Sequence, residues 1–291
     1  MIDMIRIGPA GIPLSCKGRT NRDGLMYTRE ILDLNAMEIQ FVRGLYVMEE
    51  EEAIFMREYS QEHDVELHVH APYYINLASD DEVELSFEKA KSSAVLADMM
   101  GANTVILHPG YYGDKTEKET LDNIVSNTKK LVSLLKKENL AVNIGLETMG
   151  KQKVFGSLDE IVSVCQKVKS IVPVIDIGHI HARGNGSLKT KEDFQGVFDK
   201  LASLKLNHYL INVTGVLYED GNEQYHLPIK KGDMPLGPFI DVILDNKYNV
   251  TLISESPLLE HDAVYMRLQV EKAIMKRTGG DEADYRDLSG I

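Results

Sequence analysis

Short runs of apolar, often β-branched residues alternate along this chain with longer amphipathic segments that are rich in Lys, Leu and Glu. Runs of this kind favour buried strands, and apolar residues at helical spacing favour helices. The pattern predicts eight strands, at Ile5–Ile7, Ala36–Phe41, Glu66–His70, Thr104–His108, Val142–Glu147, Val172–Asp176, His208–Thr214 and Thr251–Glu255. It predicts helices at Val83–Met100, Glu117–Asn139, Leu158–Lys169, Lys191–Leu204, Leu236–Asp245 and His261–Arg277.

Eight strands alternating with helices in 291 residues are typical of a (β/α)8 TIM barrel. A doubly wound open sheet is the alternative, because it is built from the same units. The first βα turn, PAGIPLSCKG, lacks the G-x-G-x-x-G spacing, and the chain has no G-x-x-x-x-G-K-[ST] motif, so we expect no nucleotide cofactor. We predict one barrel domain over residues 1–275 and a polar C-terminal tail over 276–291.

Composition and charge argue against a general nucleic-acid binder, a disulfide-rich protein and a membrane-spanning protein. The net charge of −13 disfavours a general electrostatic affinity for nucleic acid, although it leaves room for a local basic rim. Two cysteines, Cys16 and Cys165, cannot build a disulfide framework, which favours a reducing, cytoplasmic setting. We see neither a signal peptide nor an apolar run long enough to cross a membrane, and we expect a monomer.

Several predicted strands finish in a residue that can bind a metal ion. These residues are His70, His108, Glu147, Asp176 and Glu255, and His179, His181 and His226 lie close to the same ends in the sequence. A single histidine at a strand end is more often structural, but the carboxyl ends of barrel strands all converge on one face. Imidazole and carboxylate together suit zinc, iron or manganese. His68, two residues before His70, is better explained as a core residue or a support for the ligands.

Four motifs, HAPYYINL, LHPG, IDIGHIHARG and SESP, resemble the endonuclease IV family of apurinic/apyrimidinic endonucleases, within the xylose-isomerase-like superfamily. The resemblance implies a TIM barrel with a three-zinc cluster that cleaves DNA 5′ to abasic sites. His70 and His108 match ligands of the first zinc, and Glu147 matches the bridge to the second. Asp176 and Glu255 match ligands of the second, and His179 and His226 match those of the third.

Two positions depart from the family pattern. Asn212 stands where the family has a histidine, and Gln224 stands where it has an aspartate two residues before the last histidine. Neutral amides are weak zinc ligands, so the second and third sites look impaired, and Glu223 or His181 are candidates to compensate. Thr148 replaces the asparagine that often follows the bridging glutamate. We therefore expect two or three Zn²⁺ ions, with Mn²⁺ or Fe²⁺ as alternatives.

Candidate DNA-binding residues also follow from the resemblance. Tyr73 and Tyr74 align with residues that the family inserts into the minor groove, and Arg43 lies in a DNA-contacting region. The alternative is that both tyrosines pack on the barrel rim and shape a small-molecule pocket.

The resemblance favours a metal-dependent phosphodiesterase that cleaves DNA 5′ to abasic sites through a metal-bound hydroxide, with Glu147 and Glu255 as catalytic residues. One rival is a sugar isomerase or epimerase of the same superfamily. Another is a metal-binding barrel that has lost nuclease activity.

Overall fold

The computed structural model describes residues 5–41, 48–81 and 83–279. Eight parallel strands form one sheet: β1 (Ile5–Pro9), β2 (Ala36–Gln40), β3 (Glu66–His70), β4 (Thr104–Leu107), β6 (Asn143–Glu147), β8 (Ile171–Asp176), β9 (Tyr209–Val213) and β12 (Val250–Ser254). Their order in the sheet is β1-β12-β9-β8-β6-β4-β3-β2. Two short antiparallel pairs lie beyond the sheet, β5 (Gly110–Tyr111) with β7 (Val154–Phe155), and β10 (Gly215–Glu219) with β11 (Asn222–Leu227).

Helices follow the strands and cover the outside of the sheet. They are α1 (Asn21–Glu30), α2 (Glu50–Glu62), α3 (Val83–Met99), α4 (Glu117–Lys137), α5 (Leu158–Lys167), α6 (Ile177–Arg183), α7 (Lys191–Leu201), α8 (Leu236–Asn246) and α9 (Glu260–Thr278). Thr116, Ser157 and Thr190 begin α4, α5 and α7 with capping boxes, in which the side chain accepts a hydrogen bond from the third helical residue.

The sheet closes into a barrel between β1 and β2. Ala10 forms a parallel bridge with Glu38, and the Gly11 amide donates a hydrogen bond to the Glu38 carbonyl oxygen at 2.8 Å. Gly8 permits this approach, since a Cβ atom there would lie 1.8 Å from the carbonyl oxygen of Ala36. Closure excludes the open doubly wound sheet and confirms the predicted single-domain TIM barrel.

The barrel interior has three layers along its axis. Successive residues of a strand face opposite sides, so alternate residues of every strand point into the barrel. A small apolar cluster fills the middle of the interior, consisting of Ala10, Ala36, Ile106, Val174, Leu210 and Ile253. Polar side chains lie on both sides of it, toward the carboxyl ends of the strands and toward the amino ends. Larger apolar clusters pack the outer faces of the strands against the helices.

All eight predicted strands are confirmed to within two residues at either end. The six predicted helices are also present, although Ala202–Leu204 forms a short 3-10 helix after α7. The predicted elements do not include α1, α2 and α6, or the β5–β7 and β10–β11 pairs. The sequence also predicts that YHLPIKKGD is a loop after the seventh predicted strand, which is wrong for His226 because it lies in β11. The last helix runs to Thr278, past the boundary drawn at residue 276, and residues 280–291 of the predicted tail lie outside the described residues.

Cys16 and Cys165 are both buried and form no disulfide. In the described part of the chain, no helix is long and apolar enough to cross a membrane.

Candidate metal centre

The carboxyl ends of the strands bring together the residues that sequence analysis selected. Three groups of side chains have ligand atoms that lie within 4.8 Å of one another: His70, His108 and Glu147; Asp176, His179 and His226; and Glu147, Asp176 and Glu255. Three of these residues lie at the ends of β3, β6 and β8, and two lie directly after β4 and β12. His179 lies in α6 and His226 in β11. The groups share Glu147 and Asp176, so they form one continuous cluster.

Glu147 lies between the groups and directs its two oxygens to opposite sides. Its Oε2 lies 3.2 Å from Nε2 of His70 and 3.1 Å from Nε2 of His108. Its Oε1 accepts a hydrogen bond from Nδ2 of Asn212 at 3.0 Å. A carboxylate in this position is suited to bridge two cations, as the resemblance implies.

Three of the histidines are oriented by backbone carbonyls. The Nδ1 atoms of His70, His179 and His226 lie 2.8, 2.8 and 3.0 Å from the carbonyl oxygens of Ala71, Thr148 and Glu255. A carbonyl accepts only, so each Nδ1 carries the proton and each Nε2 is left with a lone pair when the ring is neutral. Metal-binding histidines are held in this way.

Two of these Nε2 atoms face each other. Nε2 of His226 lies 3.4 Å from Nε2 of His179, with a carboxylate oxygen of Glu223 3.3 Å from the latter. Two lone pairs at this distance repel unless a proton or a metal ion lies between them. The donor set therefore fits a cation.

Local structure explains how β8 and α6 place Asp176 and His179 in the cluster. Oδ1 of Asp176 accepts the amide hydrogen of His179 at 2.6 Å, so Asp176 caps α6 and fixes the first helical turn. Oγ1 of Thr148 accepts a hydrogen bond from the Asp176 amide at 2.9 Å. Thr148 thus ties β6 to β8 and also holds His179 through its own carbonyl.

The electrostatics show an excess of buried negative charge. Burial together with Glu147 and Asp176 raises the pKa of Glu255 to about 7. Burial alone would raise the pKa of Glu147 as well, but hydrogen bonds from His108 and His70 hold it well below its usual range. The pKa of His70 rises to about 10 despite its burial, because Glu147 stabilises its charged form.

Buried polar atoms without a partner lie in the same region. Among the described residues, Oδ2 of Asp176, Oδ1 of Asn212 and Oε2 of Glu38 have no hydrogen-bond partner. An unpaired buried polar atom usually costs about 1–3 kcal/mol, so these atoms are expected to gain a partner in the working state. A metal ion would provide one.

Asn212 and Gln224, the two departures from the family pattern, differ in position. Nδ2 of Asn212 donates to Glu147 and also to Oε1 of Glu255 at 2.9 Å, so the amide lies within the cluster. Gln224 is exposed and donates to the backbone oxygen of Asn222.

Glu223 and His181, the two candidates to compensate for the missing ligands, differ in their distance from the cluster. Oε1 of Glu223 lies 3.6 Å from Nε2 of His226, and the pKa of Glu223 is lowered to about 2, since hydrogen bonding and charge at His179 outweigh its burial. His181 is buried elsewhere, with Nε2 2.9 Å from Asp233 and Nδ1 accepting from the Leu188 amide.

The cluster opens into a cavity of about 330 Å³, lined by His70, Tyr73, His108, Gly110, Tyr111, Met149, Lys151, Val154, His179, Glu223, His226 and Glu255. Tyr73 stacks on His108, with ring centroids 5.1 Å apart, and is 47% exposed. Tyr74 is 49% exposed and does not line this cavity. Arg43 lies outside the described residues.

Sequence reasoning missed Glu38. It is fully buried in β2, where Gln40 donates a hydrogen bond to it, and burial together with Glu255 raises its pKa well above the usual range. The signal was present, because AMEIQ places a carboxylate at an inward-facing position of a buried strand. Lys151 was also missed, since a single lysine in a loop carries no pattern.

The chain belongs to the xylose isomerase-like TIM barrel family, whose sequence profile matches residues 30–269. It is 32% identical to an uncharacterized protein of Methanocaldococcus jannaschii over 269 residues, which cover 90% of this chain and 96% of that one. It is 30% identical to a probable endonuclease 4 of Mycoplasmopsis pulmonis over 205 residues, which cover 68% of this chain and 72% of the relative.

Two solved structures share the fold. A D-tagatose 3-epimerase-like protein superposes with a TM-score of 0.71 at 21% identity and covers 94% of this chain and 100% of its own. Endonuclease IV from Thermus thermophilus superposes with a TM-score of 0.68 at 18% identity and covers 91% and 99%. At these identities the likeness concerns the barrel alone and does not separate a nuclease from an epimerase.

Proposed function

We propose that this protein is a metal-dependent phosphodiesterase that cleaves DNA 5′ to abasic sites. The observation that carries the proposal is the shared cluster of three carboxylates and four histidines at the cavity floor, with Glu147 placed between two groups of ligands. Such a continuous, bridged cluster suits two or three ions, and multi-ion sites stabilise the attacking and leaving oxygens of a phosphoryl displacement. The relationship to a probable endonuclease 4 supports the same reaction.

His70, His108 and Glu147 would hold one ion, and Asp176, His179 and His226 another, with Glu147, Asp176 and Glu255 able to hold a third between them. Zinc fits this mixture of imidazole and carboxylate best, and manganese or iron would also be accepted. When bound, the ions supply Lewis acidity and lower the pKa of water.

The chain's own groups would orient the reactants. Glu255 lines the cavity next to Glu147 and Asp176, so its carboxylate is placed to accept a hydrogen bond from a water molecule at the cluster. Glu255 would therefore orient the attacking water. Glu147 would act as a ligand, and hydrogen bonds to both of its oxygens fix its orientation between the ligand groups.

The rim of the cavity offers contacts for DNA. Tyr73 and Tyr111 line the cavity and are each about half exposed, and Tyr74, next to Tyr73 in the chain, is exposed to the same extent. Aromatic rings suit stacking or wedging between bases. Lys151 lines the same cavity and supplies a local positive charge on a chain whose net charge is −13. We propose that Tyr73 and Tyr74 open the duplex, and Arg43 remains a candidate contact.

Incubation with a duplex oligonucleotide that carries one abasic site tests this function directly. We expect incision 5′ to the site that leaves a 3′-hydroxyl, that stops with chelator and that returns with Zn²⁺. The same duplex with an intact base is the control. An uncut abasic duplex under metal-replete conditions would contradict the proposal.

A sugar isomerase or epimerase is the second candidate, and the size of the cavity favours it. A volume of about 330 Å³ partly closed by Tyr73 suits a small carbohydrate. Conversion of a ketohexose by protein that binds a single divalent ion would establish this candidate. A chain that binds metal but changes neither substrate would be a non-catalytic member of the family.

A further inference from the structure

The β10–β11 hairpin contains an irregularity next to the metal cluster. The pairs Val216–His226 and Leu217–Tyr225 are followed by Tyr218–Glu223, so Gln224 is an extra residue with no partner on β10. This is a β-bulge. The hairpin ends in Asp220 and Gly221, which both have positive φ angles and make the two-residue turn.

The bulge changes which side chain of β11 faces the cluster. In a regular strand the residue two positions before His226 would share its face, and that residue is Gln224. An extra residue shifts the alternation by one, so Glu223 takes that face instead. The structure agrees, because Glu223 is close to His179 and His226 whereas Gln224 is exposed to solvent.

The position of Glu223 is fixed by its surroundings. Its amide donates a hydrogen bond to the carbonyl oxygen of Gly150 at 2.9 Å. Gly150 packs so closely that an added Cβ atom would lie 2.8 Å from Cβ of Glu223 and 3.0 Å from Cδ2 of His179. The loop after β6 therefore holds the carboxylate against the histidine.

The carboxylate of Glu223 divides its oxygens between the two rings. Oε2 lies 3.3 Å from Nε2 of His179, and Oε1 lies 3.6 Å from Nε2 of His226. Both nitrogens present lone pairs when neutral, since their Nδ1 atoms donate to backbone carbonyls. Two imidazole nitrogens and a carboxylate that converge in this way form the donor set of a zinc site.

We propose that Glu223, brought onto the ligand face by the bulge at Gln224, is the carboxylate ligand of a metal ion shared with His179, His226 and Asp176. The proposal rests on the metal centre of the proposed function. It assigns no ligand role to Gln224, so the departure from the family at that position does not remove the site.

Metal binding to the full-length chain tests the assignment. Wild-type protein and variants are stripped with chelator, titrated with Zn²⁺ alone, and analysed for bound zinc per chain, with Co²⁺ absorption as a second readout. For Glu223→Gln we expect the loss of one equivalent, or a fall of at least about 100-fold in the affinity of that site, since changes even behind a ligand cost 10–100-fold. Thermal unfolding of each stripped variant verifies that it folds.

Two controls change Gln224, the first by replacing its side chain and the second by removing the bulge. Gln224→Ala should bind zinc like the wild type. Deletion of Gln224 should also keep the site, because removal of the bulge leaves Glu223 two residues before His226 and hence on the same face. Full zinc binding by Glu223→Gln, or the loss of an equivalent in Gln224→Ala, would overturn the assignment.

The outcomes separate this proposal from the proposed function. A wild-type chain that binds no zinc overturns both. A wild type that binds zinc with unchanged binding in Glu223→Gln overturns only the role of Glu223. Loss of one equivalent in Glu223→Gln, with no cleavage of abasic DNA by the wild type, supports the role of Glu223 and contradicts only the nuclease.

Discussion

The two ends of the barrel interior contain the same kinds of side chain but differ in charge balance. At the amino ends of the strands, Glu66 accepts hydrogen bonds from His68 at 2.7 Å and Thr251 at 2.8 Å, and Arg6 lies 3.6 Å away. His208 in turn donates to Thr251. One carboxylate there has several donors, so its charge is balanced without any ligand, although Nδ1 of His68 has no hydrogen-bond partner among the described residues.

The carboxyl ends differ because several carboxylates lie close enough to raise one another's pKa, and some of their oxygens have no donor in the described part of the chain. Glu38, Glu147, Asp176 and Glu255 are gathered there, and both Glu38 and Asp176 keep an unpartnered oxygen among the described residues. The comparison shows that a buried His–Glu contact is not in itself evidence for a metal site. The unbalanced charge and the lone pairs that face one another are the evidence.

The largest expected effect is on catalysis, from Glu147→Gln. It removes the charge placed between two ligand groups, so we expect cleavage to fall by on the order of 10³-fold, the scale of losing one strong transition-state contact. Cleavage of an abasic duplex measures it. Glu66→Gln makes the same change at the other end of the barrel and should cleave normally. Normal cleavage by Glu147→Gln would contradict the proposal that the carboxyl ends, unlike the amino ends, form a catalytic metal site.

The next largest effect is expected on stability, from removal of the metal. Ions bound among the carboxylates stabilise only the folded chain, by about 4 kcal/mol when free metal is 1,000 times the dissociation constant. For a chain of this size that is roughly 10 °C in the unfolding temperature. Scanning calorimetry with Zn²⁺ and with chelator checks it. Equal unfolding temperatures would show that the carboxyl ends, like the amino ends, are complete without an ion.

A smaller effect on the free energy of unfolding is expected from Asn212→Asp. The change removes the hydrogen bonds to Glu147 and Glu255 and adds a carboxylate beside them, so the metal-free protein should lose about 1–3 kcal/mol. Zn²⁺ should reverse much of this loss. Asn207→Asp, an exposed site with the same change of charge, is the control in urea unfolding. If Asn212→Asp without metal proved as stable as the wild type, the excess charge would be unimportant.

The smallest effect is expected at the amino ends, from Glu66→Gln, which should cost about 1 kcal/mol at neutral pH because the amide keeps an acceptor. Hydrogen bonding and charge at His68 outweigh burial and lower the pKa of Glu66 from 4.5 to about 2. Its stabilisation is therefore complete above pH 4.5 and is lost as the pH falls toward 2. The difference in unfolding free energy between wild type and variant should shrink over that range. A difference independent of pH would contradict this assignment.

Much of the fold was predictable because each strand is a short apolar run with a clear end. His70, His108, Glu147, Asp176 and Glu255 could be selected for the same reason, since parallel strands of a barrel all present their carboxyl ends to one face. His179 and His226 were selected because they lie close to the same strand ends in the sequence, and the family resemblance then assigned them to the third site. Whether these residues bind metal stays a prediction.

Features that depend on irregular backbone were not predictable. Glu223 faces the cluster only because of the bulge at Gln224, and strand periodicity alone would have selected Gln224. α6 is a short helix that begins at Ile177, directly after its capping residue Asp176, which is also the last residue of β8. Glu38 could have been selected, because AMEIQ places a carboxylate at an inward-facing position of a buried strand, but only the neighbouring strands show that it lies near Glu255 and Glu147.

The most direct test of the central claim is the zinc content of protein purified without added metal, measured on the same sample that is assayed with an abasic duplex. We expect two or three ions per chain together with incision 5′ to the abasic site. One ion or none, together with an intact duplex, would contradict it.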